Sequence, residues 1–340
     1  MRATIKDVAK EAGVSPATVS FILNNKPVSI SEATRERVLT AVKKLQYRPN
    51  QLAISLVTNT TNTIGVILPD STNPFFASLS HHMEEKLRSK NMTVIIGNTN
   101  GDPVITRKYL QIFSDRRVDG IVLAQLDFED EEETVKCQEL MRNIDIPIIY
   151  VDRVIEGCDH YSIAVDQTKI GYLATKYLLS LGHRRIGCAS GSIRLKVNAN
   201  RYHGYTMALH EFGLESDSAL LFCDSLSIDC GCKALPCLLG HNVSAIFAFN
   251  DMIAYGIYKE CKNYNLIIPN DLSVIGVDDI YFSDLLQPPL TTISQPVNEI
   301  ADEAVKVLLE LIANTSKSFS PVKLNPVLKV RGSVKNLSES

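Results

Sequence analysis

Apolar residues recur at helical spacing three times within the first fifty residues of the chain. The first run predicts a helix that begins at a hydroxyl cap, Thr4, and ends at Gly13, where glycine turns without steric cost. The second run predicts a short helix capped by Ser15, and the third, from Ser31 to Leu45, completes a minimal three-helix core. This order predicts a helix-turn-helix, whose second helix enters the major groove of DNA.

From Thr63 onward the pattern changes to short apolar runs that alternate with amphipathic helical runs. Such alternation predicts parallel sheets covered by helices on both faces. The number of strands suits two lobes better than one sheet, so we expect an all-α helix-turn-helix domain followed by a two-lobed α/β domain. The predicted strands are Ile64–Leu68, Val94–Gly97, Gly120–Leu123, Ile146–Val151, Ile186–Ala189, Ser244–Phe249 and Val274–Val277, and the predicted helices span 75–90, 104–116, 130–143, 167–181, 200–212, 228–240 and 252–263.

A segment of linker composition joins these two parts. Residues 49–62 contain no charged residue and are rich in Thr and Asn. Their apolar insert, Leu52 to Leu56, is too short for a helix that is stable alone in water. It could form a helix only against a partner copy and DNA, and an inert linker is the alternative interpretation.

The positive charge of the chain is concentrated at its N-terminal end. Residues 1–50 carry nine Lys or Arg against four Asp or Glu, a net charge of +5, whereas the whole chain carries −3. A phosphate backbone attracts such a concentration of cations. An ordinary helical hairpin is the alternative interpretation of the first two helices, and the charge favours DNA binding over it.

Length and composition limit the class of protein. A chain of 340 residues exceeds what one core usually holds, so we expect two or three domains. It is 45% hydrophobic and 21% charged, which is ordinary for a globular protein. No apolar run approaches the roughly 20 residues that span a bilayer, and no signal peptide precedes the first helix. We therefore expect a cytoplasmic protein that has no membrane partner.

The sequence carries no motif for catalysis or metal binding. The eight cysteines are scattered, and the group from Cys223 to His241 lacks the paired C-x2-C knuckles of a zinc site, so buried thiols are expected instead of a metal. Neither a Rossmann glycine fingerprint nor a Walker A sequence is present. Gly187 to Gly191 is one residue out of register for a nucleophile elbow. We expect no cofactor and no catalytic residue.

Polar and aromatic residues follow four of the predicted strands, the first, fourth, sixth and seventh. Ligands of α/β sheets bind outside the carboxyl ends of the strands. Aromatic rings stack on the C–H face of a sugar, while carboxylates, amides and a guanidinium group satisfy its hydroxyls. The set therefore predicts a sugar pocket, although each strand-end Asp alone also fits a helix cap. The residues are Asn73, Phe75, Phe76, Asp152, Arg153, Asn250, Asp251, Asp278 and Asp279.

With these residues the chain resembles the LacI/GalR family of transcriptional regulators over essentially its whole length. The motif D-V-A-x-x-A-G-V-S-x-x-T-V-S is present as Asp7 to Ser20. Residues 47–50 and 53–56 are similar to the family's hinge entry and hinge helix. Further matching segments are Leu181–Ile186, Arg201–Tyr205, Asn250–Gly256, Pro289–Ile293 and Val330–Ser333.

The resemblance implies a set of DNA contacts. Pro16, Ala17 and Phe21 match positions that read base edges. Thr18, Ser20, Asn24, Tyr47 and Asn50 match positions that hold the backbone phosphates. Ala53 and Leu56 match the hinge positions in the minor groove, where the leucine wedges between base pairs and kinks the operator. This resemblance removes the interpretation of the hinge as an inert linker.

Two residues depart from the family pattern. Phe21 stands where many relatives carry Arg or His, so apolar contact with a thymine methyl is expected instead of a guanine contact. Ile54 stands where the hinge often carries Arg, which removes a charge beside the backbone. The operator is therefore expected to differ from the commonest family consensus.

The resemblance also implies the effector site, because two-lobed sugar-binding proteins share this fold. Nine residues match positions that contact sugar in ribose-type pockets, which points to a pentose or a small hexose. A purine, a sugar phosphate or a partner protein acting as corepressor remain alternatives. The nine residues are Asn73, Phe75, Phe76, Asp152, Arg153, Arg201, Asn250, Asp278 and Gln295.

These features together predict a repressor that binds a near-palindromic, double-stranded operator as a homodimer and is controlled by the small molecule between its lobes. Activation instead of repression stays open. No heptad tail follows Ser333, so a tetramer is not expected. A solute-binding protein does not explain the basic N-terminal end, and an enzyme does not fit the missing motifs. The expected domains are a DNA-binding domain at 1–48, a hinge at 49–62, and an effector domain at 63–340 with lobes at about 63–162 with 292–320 and about 163–291 with 321–337.

Overall fold

A computed structural model describes residues 3–23, 27–48, 58, 60–125, 127–152, 161–313 and 320–338. The chain divides into two compact units, Met1–Thr61 and Asn62–Ser340. Each unit has its own hydrophobic core.

The first unit is a three-helix bundle, as predicted. Thr4 and Asp7 form a capping box at the start of the first helix, and Gly13 ends that helix with φ +65°. The Ser15 hydroxyl accepts from the backbone N–H of Thr18 at 3.1 Å and so caps the second helix. Val8, Val19, Ile22 and Val38 form the centre of the core. The helices are α1 Ile5–Ala12, α2 Pro16–Leu23 and α3 Glu32–Lys44.

The first lobe of the second unit is a six-stranded, fully parallel sheet in the order β11-β5-β4-β3-β1-β2. Side chains of β1 alternate between the two faces of the sheet, since Ile64, Val66 and Leu68 pack on one face and Ile67 packs on the other. Helices α4 and α11 cover one face, and α5 and α6 cover the other. The strands are β1 Thr63–Leu68, β2 Thr93–Asn98, β3 Gly120–Leu123, β4 Ile148–Asp152, β5 Tyr161–Val165 and β11 Val322–Leu324, and the helices are α4 Pro74–Arg88, α5 Pro103–Asp115, α6 Glu131–Arg142 and α11 Val297–Ala313.

The second lobe is another six-stranded sheet, in the order β12-β10-β9-β8-β6-β7. Only β12 runs antiparallel to its neighbour in this sheet. Helix α7 pairs with α8, and α9 pairs with α10. The strands are β6 Ile186–Gly191, β7 Leu221–Asp224, β8 Ala245–Ala248, β9 Ser273–Asp278, β10 Thr291–Ser294 and β12 Val327–Lys329, and the helices are α7 Gln167–Ser180, α8 Lys196–Glu211, α9 Ile228–Leu239 and α10 Asp251–Asn263.

Strand pairing corrects the expected lobe boundaries. The first lobe extends through β5 to Val165, beyond the expected end at 162, and takes β11 from the segment assigned to the second lobe. The second lobe keeps all of β10, although residues from 292 onward were expected in the first. The sequence pattern marks where a strand lies, but the sheet it joins depends on partners far along the chain.

Candidate functional site

One cavity of about 560 Å³ lies where the carboxyl ends of strands from both sheets of the second unit meet. Eight of the nine residues predicted to contact the effector line it, and the ninth, Arg153, lies outside the described residues. The fold therefore brings these residues, predicted from strand ends and from the family resemblance, to one continuous surface. The eight are Asn73, Phe75, Phe76, Asp152, Arg201, Asn250, Asp278 and Gln295.

The first lobe contributes an aromatic wall. Phe75 and Phe76 pack edge to face, with ring centroids 5.1 Å apart and an interplanar angle of 76°. Their position is fixed because Asn73 caps α4, where its Oδ1 accepts from the backbone N–H of Phe75 at 3.0 Å. Both rings are mostly buried yet reach the cavity. The wall offers the apolar surface of two rings to a ligand.

Arg201 is held from two sides in the second lobe. Its Nε donates to Oε1 of Gln167 at 2.8 Å, and its Nη1 donates to the carbonyl of Phe249. Nε2 of Gln167 donates in turn to the carbonyl of Asp152 at 3.5 Å. Gln167, at the start of α7, therefore links the guanidinium of one lobe to a strand end of the other. Because its side chain is fixed, the guanidinium is preorganised for a ligand.

Asp278, the last residue of β9, has a backbone φ angle that is rare for aspartate and a raised side-chain pKa. Its φ is +112°, and that of Asp152 at the end of β4 is +73°, a region that residues other than glycine rarely adopt. Burial raises the pKa of Asp278 to about 8, and the opposing effect of nearby Arg201 is smaller. Nε2 of Gln295 donates to its Oδ1 at 2.8 Å. Such strain and such a shifted pKa are typical of binding sites.

Asp278→Asn is expected to flatten the pH dependence of stability. Between about pH 4 and the folded pKa of about 8, the buried carboxyl holds a proton that the unfolded chain releases. Its contribution to the free energy of unfolding therefore falls as pH rises through this window and is constant above it. Urea denaturation across the window measures the slope. Asp115→Asn, at an exposed position, is the control, and equal slopes in wild type and Asp278→Asn would contradict the shift.

Carboxylates dominate the electrostatics of the cavity. Five of them line it, and Arg201 is the one cationic side chain among the described lining residues. Two of the lining residues carry a fully buried amide oxygen, Oδ1 of Asn198 and Oε1 of Gln295, that has no hydrogen-bond partner within the described part of the chain. A hydroxyl donor would satisfy such acceptors, which cost about 1–3 kcal/mol when left unpaired in a protein interior. The carboxylates are Asp70, Glu129, Asp152, Asp224 and Asp278.

Two strand-end candidates serve the fold and do not line the cavity. Asp251 is fully buried and accepts from Ile280, Ser283 and Thr292, and burial raises its pKa to about 6. Asp279 forms an ion pair with Arg331, in which Oδ1 of Asp279 lies 2.6 Å from Nη2 of Arg331. Asn250, beside Asp251, both caps α10 and lines the cavity. Of each pair, only one residue, Asn250 or Asp278, therefore lines the cavity.

Several lining residues were missed by the sequence argument. Gln125 follows β3 and lies 8% exposed in the cavity, so the rule that found its neighbours would have found it as well. Asn198 and Leu195 come from the N-terminal end of α8, for which no strand-end pattern exists. Ser225 and Ser227 follow β7, a short strand that the pattern did not show.

The predicted DNA-reading residues are partly described. Pro16 and Ala17 are exposed on α2, and Thr18, Ser20 and Phe21 are half-buried. Tyr47, after α3, packs partly against the core of the first unit. Asn24, Asn50, Ala53 and Leu56 lie outside the described residues. Exposed small and apolar side chains are therefore available on the outer face of the second helix.

The described part of the chain holds neither a metal-binding cluster nor a membrane-spanning helix. Among the described residues, no group of three or more His, Cys, Asp or Glu could hold a metal ion. Cys230 is buried whereas Cys223 and Cys237 are exposed, so the cysteine cluster does not converge on one point. No described helix has the length and apolar character needed to cross a membrane.

Comparison with known proteins adds two family matches. Residues 4–50 match the pattern of bacterial regulatory proteins of the lacI family, and residues 61–326 match that of periplasmic binding proteins and the sugar binding domain of the LacI family. The HTH-type transcriptional repressor PurR of Photobacterium profundum is 35% identical over 338 residues, covering 99% of this chain and 100% of that protein. The chain belongs to the LacI family. It is therefore a DNA-binding transcription regulator and not an enzyme.

Solved structures agree with this assignment of a LacI-family regulator. A LacI family transcriptional regulator from Enterococcus faecium, solved with bound ribose, is 30% identical with a TM-score of 0.73, over 81% of this chain and 99% of that one. The lac repressor dimer bound to operator and an anti-inducer has a TM-score of 0.87 over 98% of this chain and 100% of that one. At 23% identity, the second likeness concerns the fold alone. The predicted family and fold class are both confirmed.

Proposed function

We propose that this LacI-family regulator is a repressor that binds a near-palindromic operator as a homodimer and responds to a small neutral sugar, a pentose or small hexose. The observation that carries the proposal is the cavity between the two sheets. It combines a wall of two phenylalanine rings with buried carboxylates, amide oxygens and a fixed guanidinium. This chemistry suits a polyol, whose C–H face packs on rings while its hydroxyls donate to oxygens.

The charge of the cavity separates the candidate effectors. A sugar phosphate would bring a double negative charge among four carboxylates, the carboxyl of Asp278, which keeps its proton up to about pH 8, and one described guanidinium, which disfavours it. A purine base offers N–H donors that fit the same oxygens, so the unpaired oxygens of Asn198 and Gln295 do not separate it from a sugar. The relative solved with bound ribose shares 30% of its sequence with this chain, which supports the sugar. A purine effector, a protein corepressor and an activating role are the alternatives.

The proposed coupling runs through the separation of the lobes. An effector between the two sheets favours one lobe arrangement, and in a dimer this moves the first lobes and the hinges of the two copies relative to each other. Depending on this movement, the hinge residues Ala53 and Leu56 would either stay inserted in the minor groove of the operator or be withdrawn from it. The sign, inducer or corepressor, depends on which arrangement DNA prefers.

The proposal is tested by a thermal-shift screen of the whole chain with pentoses, hexoses, disaccharides, sugar phosphates, nucleosides and purine bases. A ligand at about 100 times its Kd adds roughly 2.7 kcal/mol to the free energy of unfolding. A pentose or hexose is expected to raise the melting temperature and to change operator affinity in a mobility-shift assay. Stabilisation by purines or sugar phosphates alone would overturn the sugar while leaving the family intact. If no compound of the panel raises the melting temperature, a protein corepressor would be favoured.

An exposed apolar cluster supports the proposed homodimer. Tyr281, Phe282 and Leu285 are 78%, 52% and 63% exposed, and the first two rings pack edge to face at 5.4 Å. Neighbouring exposed side chains of this size are typical of protein contacts. A second copy is the partner that a near-palindromic operator requires. We place this regulator in the cytoplasm, where its DNA lies.

Removing thymine methyl groups from the operator is expected to weaken binding. Helix α2 carries no Arg, Lys, Asn or Gln, so its direct base contacts are apolar, through Ala17 and Phe21. Each methyl group that these side chains bury contributes about 0.8 kcal/mol, or about fourfold in affinity. An operator is selected from random DNA, and fluorescence anisotropy compares it with copies that carry uracil at single thymines.

The control for this experiment is uracil at a thymine outside the half-sites, which should change nothing. Phe21→Ala should bind more weakly and lose its sensitivity to uracil at the position that Phe21 faces. If no single uracil lowers affinity, Phe21 does not read a thymine methyl.

A further inference from the structure

Helix α8 begins without a cap of its own. Six other helices of the second unit begin at an Asn, Asp or Ser whose side chain accepts from a backbone N–H of the first turn. At the start of α8 the cap position is Leu195, which makes no such hydrogen bond. The first N–H groups of a helix have no partner within it, so they need an acceptor from elsewhere.

The first lobe supplies that acceptor. Oδ2 of Asp127, in the loop after β3, accepts from the backbone N–H of Lys196 at 2.9 Å. A carboxylate is also the charge that the N-terminal end of a helix favours. Asp127 is also bound through its backbone, because Nε2 of Gln125 donates to the carbonyl of Asp127 at 3.1 Å. The hydrogen bond therefore joins one lobe to the other beside the cavity.

The capped end of α8 is also the part of the helix that forms the cavity. Val197, Asn198 and Arg201 are buried, line the cavity and lie within the first two turns. From the opposite lobe, Gln125 and Glu129 line it from the two sides of Asp127 in the chain. A change at Asp127 is thus transmitted to effector-binding side chains without contact with the effector.

We propose that Asp127 is a positioning residue, which caps α8 across the cleft and thereby favours the lobe separation that binds the effector. The inference rests on the proposed function, because it assumes an effector between the lobes. Loss of an N-cap acceptor lowers the equilibrium constant for forming that arrangement by about fivefold. Effector affinity falls by the same factor, mainly through faster dissociation, since the lobes reopen more readily.

The experiment uses the full chain and five variants. Asp127→Ala removes the acceptor, and Asp127→Asn keeps one, since Asn is as good a cap as Asp. Glu131→Ala removes a nearby exposed carboxylate and controls for charge. The double variant Asp127→Ala with Leu195→Ser gives α8 a cap of its own without the link between lobes, and Leu195→Ser alone is its reference, because Leu195 lines the cavity.

Two measurements are made on each. Hydrogen exchange of a peptide spanning Lys196 and Val197 reports the cap without any ligand, and calorimetry and binding kinetics with D-ribose report the effector site. Asp127→Ala is expected to exchange faster in this peptide and to bind D-ribose about fivefold more weakly, while Asp127→Asn and Glu131→Ala stay near wild type. In the double variant, hydrogen exchange of this peptide should return to the slow rate of wild type. Its affinity for D-ribose should remain about fivefold lower than that of Leu195→Ser.

Unchanged exchange in Asp127→Ala overturns the inference, whatever ligand binds. Recovery of D-ribose affinity in the double variant to that of Leu195→Ser would also overturn it, because the cap would then act on the helix alone. If neither D-ribose nor any other sugar binds wild type, the proposed function fails and the effector role of Asp127 fails with it. Faster exchange in Asp127→Ala would still distinguish that outcome from failure of the cap itself.

Discussion

Arg201→Ala is expected to abolish the response to the effector while operator binding by the effector-free protein stays unchanged. Arg201 is the one described guanidinium among five cavity carboxylates, and Gln167 and the carbonyl of Phe249 hold it in place. A hydrogen bond to a charged group contributes about 1.5–3 kcal/mol, so losing the two that the guanidinium fork offers the sugar corresponds to about a hundredfold or more in sugar affinity. Calorimetry with the sugar and mobility shift with the operator separate the two effects.

Two further variants make the Arg201 result specific. Arg201→Lys keeps the charge but loses the fork that binds two acceptors at once, so it should bind sugar with intermediate affinity. Arg194→Ala removes an exposed arginine that does not line the cavity, and it should respond as wild type does. Loss of operator binding in Arg201→Ala would show that Arg201 serves the fold instead.

Gly204→Ala is expected to lower the free energy of unfolding by about 3 kcal/mol or more. Helices α7 and α8 cross so closely that a Cβ at Gly204 would lie 2.0 Å from the carbonyl oxygen of Thr168, and a Cβ at Gly171 would lie 1.9 Å from that of Arg201. The obstructing atoms belong to the backbone, so no side-chain rotation relieves the clash. Urea denaturation measures the loss, and a weaker sugar response should accompany it because the same crossing positions Arg201.

Gly240→Ala is the matched control for the crossing glycine. Its added Cβ would meet only the carbonyl oxygen of Cys237, at an ordinary 3.5 Å, and its φ of −59° suits any residue. The variant should be as stable as wild type or slightly more so, since alanine restricts the unfolded chain. If Gly204→Ala unfolds at the same urea concentration as this control, the two helices are able to separate without cost.

Local sequence patterns predicted where the helices and strands of this protein lie, but not which strands pair with each other. All seven predicted strands and seven predicted helices of the second unit are present within a few residues of their expected bounds. The three-residue strands β11 and β12 are too short to show an alternating pattern, and each is defined by pairing with a strand distant in the chain. Helix α11 has a clear helical period, with Ile300, Ala304 and Leu308 buried, and was missing from the prediction although its signal is local.

The candidate site was predictable to the extent that it follows the strand ends. Asp152, Asn250 and Asp278 come directly after apolar runs and Asn73 follows the first one within five residues, so topology alone brings them together. Asn198 reaches the cavity from a helix, and Gly191 makes room for its amide, because a Cβ there would lie 2.7 Å from Nδ2. The link between Asp127 and Lys196 depends on the distance between lobes, which no local pattern encodes.

The exchange of edge strands between the two sheets has a consequence for how such regulators diversify. The DNA-reading unit is one continuous segment that ends at Thr61, so a single recombination event can replace it whole. Neither lobe is continuous, since β11 completes the first sheet and β12 the second from a stretch that begins at Val322 and ends at Lys329. A crossover inside the effector domain would separate a sheet from its own edge. New operator specificity can therefore be inherited as a cassette, whereas a new effector has to be acquired by substitution within the cavity.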